Sequence, residues 1–332
     1  MVDTFYIDDS WKLKLFIYVL GYYPEGESIF IVLYDESSRK PLKTILADCY
    51  EQNGINIFES VLDLYNIQDE KLDYLIWTHP DHDHSVGFSN IVNKYTSRKT
   101  IVIYPEGMPI FSILKNMQTS KSWYAIIKNK VLGKYCVESV NTSNHRCYPL
   151  LYSSSYSDGV YDPIIFSIEI LTPFATQNSR NILFNNSHNA NVISISFIIR
   201  LGNLGFYFGG DTEDMAIKEI ERDRFRDLYF VKIPHHGSDT SIILPGILTD
   251  LLDENESPQI VSITTGYHKG RSNLPAHSVL DLYKSNSTKI LITEDDRHQN
   301  KYGYWEYIFD RGSGFPFSLS SVGDSMVYYE YN

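Results

Sequence analysis

The most chemically informative part of the sequence is residues 79–84, His-Pro-Asp-His-Asp-His, where three imidazoles and two carboxylates fall within six positions. The segment directly follows the apolar residues 74–77, so we predict a tight loop at the end of a β-strand. Carboxylates crowded on such a loop repel one another and resist desolvation unless positive charge neutralises them. Metal binding is the simplest way to supply that charge.

In register, the segment reads H-x-D-x-D-H, formed by His79, Asp81, Asp83 and His84. Alternation along the loop predicts that His79 and Asp81 bind one cation, whereas Asp83 and His84 bind a second. Two cations about 4 Å apart hold a bridging hydroxide and stabilise the attacking and leaving oxygens of a displacement. Mixed ligands suit Zn²⁺ or Mn²⁺, and the Asp81 carboxylate slightly favours Mn²⁺. His82 is outside the register and is predicted to be solvent-exposed or to support a ligand.

Two later segments add residues of the same types. Asp211 follows Gly209 and Gly210, which let backbone segments approach closely. We predict that Asp211 is a metal ligand, although Asp also commonly caps helices. One of the adjacent His235 and His236 is predicted to bind metal, and the other to contact a ligand or the substrate. We assign the metal to His235 and a catalytic role to His236, although the residue types leave this order open.

The order of these motifs resembles that of the metallo-β-lactamase superfamily, whose signature H-x-H-x-D-H is similar to residues 79–84 with Asp at the third position. Residues 206–213, FYFGGDTE, look like the strand end that carries the superfamily's bridging Asp. Residues 232–238, KIPHHGS, closely resemble the P-H-H-G-S segment of the ComEC competence family. Several motifs in a fixed order are more specific than any single motif. The motifs span residues 12–293. Weaker landmarks of the same resemblance are Asp48, Asn191, Ser194, Asn273 and His277.

The resemblance implies an α/β fold, namely a four-layer αββα sandwich with mixed sheets and two divalent metal ions where strand ends meet. It also implies hydrolysis, most often of phosphodiesters in this branch. The predicted metal ligands are His79, Asp81, Asp83, His84, Asp211 and His235. These ligands would lower the pKa of a bridging water through the metals. The predicted catalytic residues are Asp83, His236 and His277, and His277 or His236 is expected to protonate the leaving oxygen.

Two departures from the resemblance leave alternatives open. The superfamily often supplies another histidine before the bridging Asp, but the surroundings of neither His145 nor His188 match. Asp48 also lacks the usual D-x-G turn. A non-catalytic subunit that binds a protein partner or a nucleotide signal is therefore a second hypothesis, favoured by 26 tyrosines because tyrosine is enriched at interfaces. Hydrolysis of a thioester or lactone is a third, since the same nucleophile attacks carbonyls.

The composition is typical of a folded globular protein, with 332 residues that are 43% hydrophobic and 21% charged. A net charge of −12 excludes long-range attraction to nucleic acid or anionic membranes, so a phosphodiester substrate, DNA or nucleotide, must be bound locally. Three cysteines argue against a disulfide framework, and no apolar run approaches the roughly 20 residues of a membrane span. We predict a cytoplasmic protein with no membrane partner.

The elements that position these residues are predicted to be short strands alternating with helices, which favours sheets covered by helices in a single domain over residues 1–332. Residues 141–162 are rich in Ser, Asn and Tyr and are predicted to form a long loop or insertion. The predicted helices are 110–117, 215–225 and 277–283. The predicted strands are 14–20, 28–34, 43–48, 74–78, 100–104, 166–171, 192–200, 205–208, 229–233, 260–264, 289–293, 304–309 and 325–329.

Overall fold

The computed structural model describes residues 13–54, 56–65, 72–107, 116–131, 133, 136–140, 147–157, 160–174, 190–252, 259–294, 302–310 and 317–331. Within these ranges, sixteen strands form two eight-stranded sheets. The strands are β1 (Leu13–Tyr22), β2 (Glu27–Asp35), β3 (Lys40–Ala47), β4 (Tyr74–Ile76), β5 (Ile101–Pro105), β6 (Cys136–Val140), β7 (Cys147–Ser157), β8 (Val160–Ile170), β9 (Phe197–Leu201), β10 (Leu204–Phe208), β11 (Leu228–Lys232), β12 (Ile260–Thr264), β13 (Ser287–Ile292), β14 (Tyr302–Asp310), β15 (Phe317–Gly323) and β16 (Met326–Glu330).

Both sheets are mixed, and each contains one block of parallel strands. The first sheet has the order β15-β14-β1-β2-β3-β4-β5-β6, in which β3 to β6 run parallel. The second has the order β16-β13-β12-β11-β10-β9-β8-β7, in which β10 to β13 run parallel. The carboxyl ends of parallel strands lie at one edge of a sheet, where loops deliver side chains to a common site.

The inner faces of the two sheets share one hydrophobic core. Leu15 and Ile31 of the first sheet belong to the same buried cluster as Phe206 and Phe230 of the second. The burial of β14 alternates residue by residue, because successive side chains of a strand point to opposite faces. Phe206 and Tyr207 on β10 are both buried, so this central strand is covered on both faces.

Helices cover the outer face of each sheet. Phe58 and Ile91 pack on the first sheet, whereas Leu244 and Leu280 pack on the second. The α/β class with two mixed sheets is therefore confirmed. No described helix combines the length and the apolar character that crossing a bilayer requires. The described α-helices are α1 (Ile57–Leu64), α2 (His82–Ser85), α3 (Phe88–Tyr95), α4 (Met117–Val131), α5 (Asp214–Ile217), α6 (Ile243–Leu251) and α7 (His277–Leu282).

The loop predicted for residues 141–162 is wrong over most of its length. Residues 147–157 form β7, which pairs antiparallel with β8, so residues 160–162 are also in a strand. Tyr and Leu in this segment favour strands, but their spacing does not alternate and so carries no periodic signal. Residues 141–146 and 158–159 of the prediction lie outside the described residues.

The predicted helices have mixed outcomes. The helix predicted for 277–283 is confirmed as α7. The one predicted for 215–225 is split into α5 and a short 3₁₀ turn at Arg222–Phe225. Residues 110–115 of the third lie outside the described residues, and α4 begins only at Met117.

Candidate metal centre

The predicted ligands converge where the carboxyl ends of parallel strands from both sheets meet. In the first sheet, β3 is followed by Asp48 and β4 leads to His79. In the second sheet, β10 leads to Asp211, and β11 leads to His235 and His236. Side chains more than 100 residues apart in the chain therefore share one edge of the sandwich.

Hydrogen bonds from neighbouring elements fix the loop after β4. Thr78 donates its backbone N–H to Asp48 Oδ1 at 2.7 Å and its hydroxyl to Asp48 Oδ2 at 2.6 Å. Helix α4 holds the other side, because Thr119 Oγ1 donates to the carbonyl of Pro80 at 3.1 Å and Ser122 Oγ donates to that of Ser85 at 3.0 Å. The loop is thus held rigidly between β3 and α4.

Four buried residues, here called the inner set, bring their ligand atoms within 4.8 Å of one another: Asp83, His84, Asp211 and His236. His84 Nε2 lies 3.3 Å from Asp83 Oδ2 and 3.4 Å from Asp211 Oδ1. His236 Nε2 lies 3.1 Å from Asp83 Oδ2 and 3.7 Å from Asp211 Oδ1. Two carboxylate oxygens and two imidazole nitrogens therefore face a common point.

The inner set contains buried polar atoms that have no hydrogen-bond partner, namely His84 Nε2 and Asp211 Oδ1. Native structures contain few such atoms, and a bound ion is one way to satisfy them. Asp48 Oδ2 lies 2.7 Å from His84 Nδ1. Because an ionised carboxylate can only accept, a neutral His84 carries its proton on Nδ1 and directs the lone pair of Nε2 at the inner set.

A second group, here called the outer set, surrounds the other oxygen of Asp211 and comprises His79, Asp81 and His235. His79 Nε2 lies 3.5 Å from Asp211 Oδ2 and 3.7 Å from Asp81 Oδ2. His235 Nε2 lies 3.9 Å from Asp211 Oδ2. The Asp81 side chain is 45% exposed and that of His235 is 18% exposed, so this set opens toward solvent.

Asp211 belongs to both sets because its two carboxylate oxygens face opposite sides. Its backbone N–H donates to Ser194 Oγ at 2.9 Å. Gly210 before it has φ of +51°, and a Cβ there would lie 2.7 Å from Ser194 Oγ, so the close approach requires glycine. Helix α5 begins at Asp214 with Glu213 in the N-cap position. Asp211 is therefore not the cap of this helix.

The electrostatics of the inner set favour positive charge. Burial opposes ionisation of Asp211, but the neighbouring imidazoles, His84 first, outweigh it and hold the pKa of Asp211 well below its usual value. Burial alone would lower the pKa of His84, yet the carboxylates of Asp83, Asp211 and Asp48 raise that pKa well above its usual value. The carboxylates of this cluster thus stabilise positive charge between them, which a bound cation would also supply.

The adjacent histidines occupy different sets, and each has a left-handed backbone, with φ of +47° at His235 and +50° at His236. Such conformations are strained for residues other than glycine and concentrate at functional sites. We predicted His235 as the metal ligand and His236 as the catalytic group. The geometry places His236 in the fully buried inner set and His235 at the more open outer set, which gives both of them the position of a ligand.

A cavity of about 520 Å³ opens beside the two sets, and both Asp81 and His235 line it. Its lining also includes a cationic, an amide and an aromatic side chain, from Arg271, Asn273 and Tyr267. Tyr267 stacks on the His236 ring with centroids 5.5 Å apart. The cavity therefore presents a charged and polar wall to anything bound at the predicted ligands.

The structure does not bring His277 to this centre. His277 begins α7, is exposed, and packs its ring on Tyr328 with centroids 5.2 Å apart. It is absent from the described residues that line the cavity. This placement does not support the role of His277 as a proton donor to the leaving group, which stays a prediction, because the helix carries its side chain to the outer surface against β16.

Other predicted positions have clear outcomes. His82 points away from both sets, with Nδ1 3.1 Å from Glu25 Oε1. Asn191 Nδ2 lies 3.2 Å from His235 Nε2, so this landmark of the resemblance does lie at the site. His145 and His188 lie outside the described residues.

Sequence reasoning missed three buried residues behind His236, namely Glu27, Lys232 and Thr265. Glu27 and Lys232 form a fully buried ion pair at 2.7 Å. Lys232 is the single charged residue of β11, and Glu27 begins a strand whose interior, residues 28–34, is uncharged, which was an available signal. A pairing across the two sheets cannot be read from either strand alone.

A comparison of the sequence with protein-family models finds no match, and a comparison with curated proteins finds none either.

Proposed function

We propose that the chain is a metal-dependent hydrolase that binds two divalent cations, Zn²⁺ or Mn²⁺, and cleaves phosphodiester bonds in DNA or a nucleotide. The observation that carries the proposal is the Asp211 carboxylate, which faces a set of imidazole and carboxylate groups on each side. Its Oδ1 atom is buried without a hydrogen-bond partner, as are His79 Nε2 and His84 Nε2.

The donor types fit the proposed cations. The inner set offers two carboxylates and two imidazoles, and the outer set adds His79, Asp81 and His235 around the second oxygen of Asp211. Imidazole nitrogen and carboxylate oxygen are ligands of both Zn²⁺ and Mn²⁺. A buried nitrogen or oxygen atom without a partner costs free energy unless a positive group satisfies it. This cost supports a cation in each set.

The fold supports the same proposal. Two mixed sheets with helices on their outer faces are compatible with the αββα architecture that the resemblance to the metallo-β-lactamase superfamily implies. The landmarks of that resemblance include Asp48, Asn191 and Ser194. In this chain those residues contact His84, His235 and Asp211 respectively. Agreement between the order of motifs and their contacts in space is more specific than either alone.

Bound divalent cations lower the pKa of a water molecule and neutralise charge that develops on phosphoryl oxygens. The chain's own residues orient the reactants. Asp48 fixes the orientation of His84, and Ser194 fixes the backbone of Asp211. Arg271, which lines the same cavity, suits a phosphate group, because a guanidinium donates paired hydrogen bonds to phosphate oxygens.

The cavity also bears on substrate size. A volume of about 520 Å³ is within the range that accommodates one small organic ligand. The net charge of −12 gives no long-range attraction to a polyanion. These two properties favour a nucleotide, or a short single-stranded segment of DNA, over a long duplex.

The test incubates the purified full chain with Mn²⁺ or Zn²⁺ and with single-stranded DNA, duplex DNA and a panel of cyclic nucleotides. We expect cleavage of at least one phosphodiester, and its loss in Asp211→Asn. Asp239→Asn is the matched control, because Asp239 lines the same cavity but belongs to neither set. Full cation binding without cleavage of any of these substrates would contradict the proposal. Thioester and lactone substrates then separate a different hydrolase from a binding subunit.

A further inference from the structure

An ion pair between Glu27 and Lys232 lies fully buried behind the inner set, with Lys232 Nζ 2.7 Å from Glu27 Oε2. Glu27 begins β2 in the first sheet and Lys232 ends β11 in the second, so the pair joins the two sheets. Burying two charges costs free energy that their attraction often fails to recover. Stability alone therefore gives little reason for this pair.

The pair is connected to the inner set through one hydroxyl group. Thr265 Oγ1 donates to Glu27 Oε2 at 2.5 Å, and His236 Nδ1 lies 2.8 Å from the same hydroxyl oxygen. The other nitrogen of the ring, His236 Nε2, lies 3.1 Å from Asp83 Oδ2. A continuous path of hydrogen-bonding groups thus runs from the buried carboxylate to the side of His236 that faces the inner set.

The polarity of this path follows from the number of protons available. An ionised carboxylate can only accept, and a threonine hydroxyl has a single proton to donate. Since Thr265 donates that proton to Glu27, its oxygen is an acceptor toward His236. A neutral His236 must then carry its proton on Nδ1, which leaves the lone pair of Nε2 directed at the inner set.

The same arrangement recurs in the first sheet. Thr78 Oγ1 donates to Asp48 Oδ2 at 2.6 Å and lies 3.0 Å from His79 Nδ1. Thr78 follows β4 and Thr265 follows β12, so both threonines stand just beyond the carboxyl end of a parallel strand. His84 is backed by Asp48 without an intermediary. Repetition of one pattern at two imidazoles indicates a common purpose.

We propose that Glu27, paired with Lys232, fixes the tautomer of His236 through Thr265, and that these three are positioning residues for the inner cation. The inference depends on the proposed function only for the identity of what binds Nε2. Tyr267, stacked on the ring of His236, supports the plane of the imidazole independently. The Glu27 path therefore acts on the proton position rather than on the placement of the ring.

The test compares Thr265→Val with Thr265→Ser in the full chain. Valine has the shape of threonine without the hydroxyl, whereas serine keeps the hydroxyl. Long-range ¹H–¹⁵N NMR of the metal-free protein, recorded over a series of pH values, reports which nitrogen of the neutral His236 ring carries the proton. We expect the Nδ1–H tautomer in the wild type and in Thr265→Ser, and a shift toward the Nε2–H tautomer in Thr265→Val.

A double variant, Glu27→Met with Lys232→Met, removes both charges while keeping similar volume. Such a replacement is often neutral or stabilising, so a purely structural pair would leave His236 unchanged. We expect instead the same tautomer shift and Zn²⁺ affinity of the inner set about 10- to 100-fold lower, as for lost partners of metal-binding histidines. If this double variant does not fold, the comparison of Thr265→Val with Thr265→Ser is the decisive test.

An unchanged His236 tautomer in Thr265→Val would overturn the inference, as would a soluble double variant with the wild-type tautomer and Zn²⁺ affinity. The NMR measurement requires no cation. A wild type with the expected tautomer but without affinity for any divalent cation would therefore contradict the proposed function alone.

Discussion

The inner and outer sets share the carboxylate of Asp211 but differ in burial and support. The inner residues are all buried, and both inner imidazoles have a carboxylate behind them, directly for His84 and through a hydroxyl for His236. In the outer set, His79 is also buried and has Asp48 behind it through Thr78. Asp81, however, is 45% exposed, and His235 contacts only neutral groups within hydrogen-bond distance, from Asn191 and Thr240. Buried ligands that other side chains hold in position bind cations more tightly. The inner set should therefore have a higher cation affinity than the outer set.

This difference indicates separate roles for the two proposed cations. A tightly bound inner cation would be permanent, whereas an outer cation beside the cavity would exchange with solvent and meet the substrate first. Asp81 and His235 line that cavity. Removal of the shared ligand, then of one ligand of each set, then of a supporting group tests whether the two sets differ.

The largest effect is expected for Asp211→Asn, because this change weakens both sets at once. Asparagine has nearly the same shape but lacks the charge and offers only one oxygen. We expect cation affinity to fall by more than about 100-fold, beyond the cost of losing a partner of a ligand, and activity to be lost. Metal analysis after dialysis measures the first and the cleavage assay the second. Wild-type occupancy in this variant would contradict the shared role of Asp211.

Substitution of the adjacent His235 and His236 removes one proposed ligand of each set separately. His236→Ala should remove the tight cation, because it deletes a buried ligand of the inner set. His235→Ala should weaken only the second cation, and by less than His236→Ala weakens the first, because His235 belongs only to the outer set and is partly exposed. Isothermal titration of each variant with Mn²⁺ separates the two binding steps. Equal losses in both variants would show that the two sets do not differ.

A smaller effect is expected for Asp48→Asn, which leaves all proposed ligands in place. Asp48 supports His84 directly and Thr78 by two hydrogen bonds. Loss of such support typically costs about 10- to 100-fold in metal affinity. Equilibrium dialysis with Zn²⁺ measures the change. Asp63→Asn, a surface substitution outside the centre, is the control for loss of charge, and it should bind as the wild type does.

The smallest expected signal is a dependence of cation binding on pH. The carboxylates around His84 raise its pKa well above the usual value despite burial, so at neutral pH the metal-free imidazole still carries a proton on both nitrogens. A cation must displace the proton of Nε2, and affinity should rise as pH increases toward that pKa. Titrations in two buffers with different ionisation enthalpies should give different heats. Identical heats would exclude proton release.

The sequence predicted the framework of strands well and the helices poorly. Each predicted strand overlaps an observed one, because buried strands of this fold are continuous apolar runs. Helix α4 was missed because the residues that it buries include Thr119, Ser122 and Asn129. Polar side chains on the buried face of a helix interrupt the recurrence of apolar residues from which a helix is predicted.

The sequence predicted those parts of the candidate site that lie in one short segment or at the end of one strand. Residues 79–84 and Asp211 do lie together, because strand ends in one edge of a sandwich must converge. His277 lies outside both sets, and its position could not be predicted, since a sequence motif does not show which way a helix faces. Glu27 and Thr265 were missed because their role depends on contacts between β2 and β12, which belong to different sheets.

The most direct test of the central claim is the cation content of the full chain. Metal-free protein is dialysed against Zn²⁺ or Mn²⁺ and analysed for bound metal before and after a wash with a weak chelator, with Asp211→Asn in parallel. We expect two cations per wild-type chain before the wash and one after it, and none in the variant. A wild-type chain that retains no cation before the wash would contradict the claim that these carboxylates and imidazoles form a metal centre.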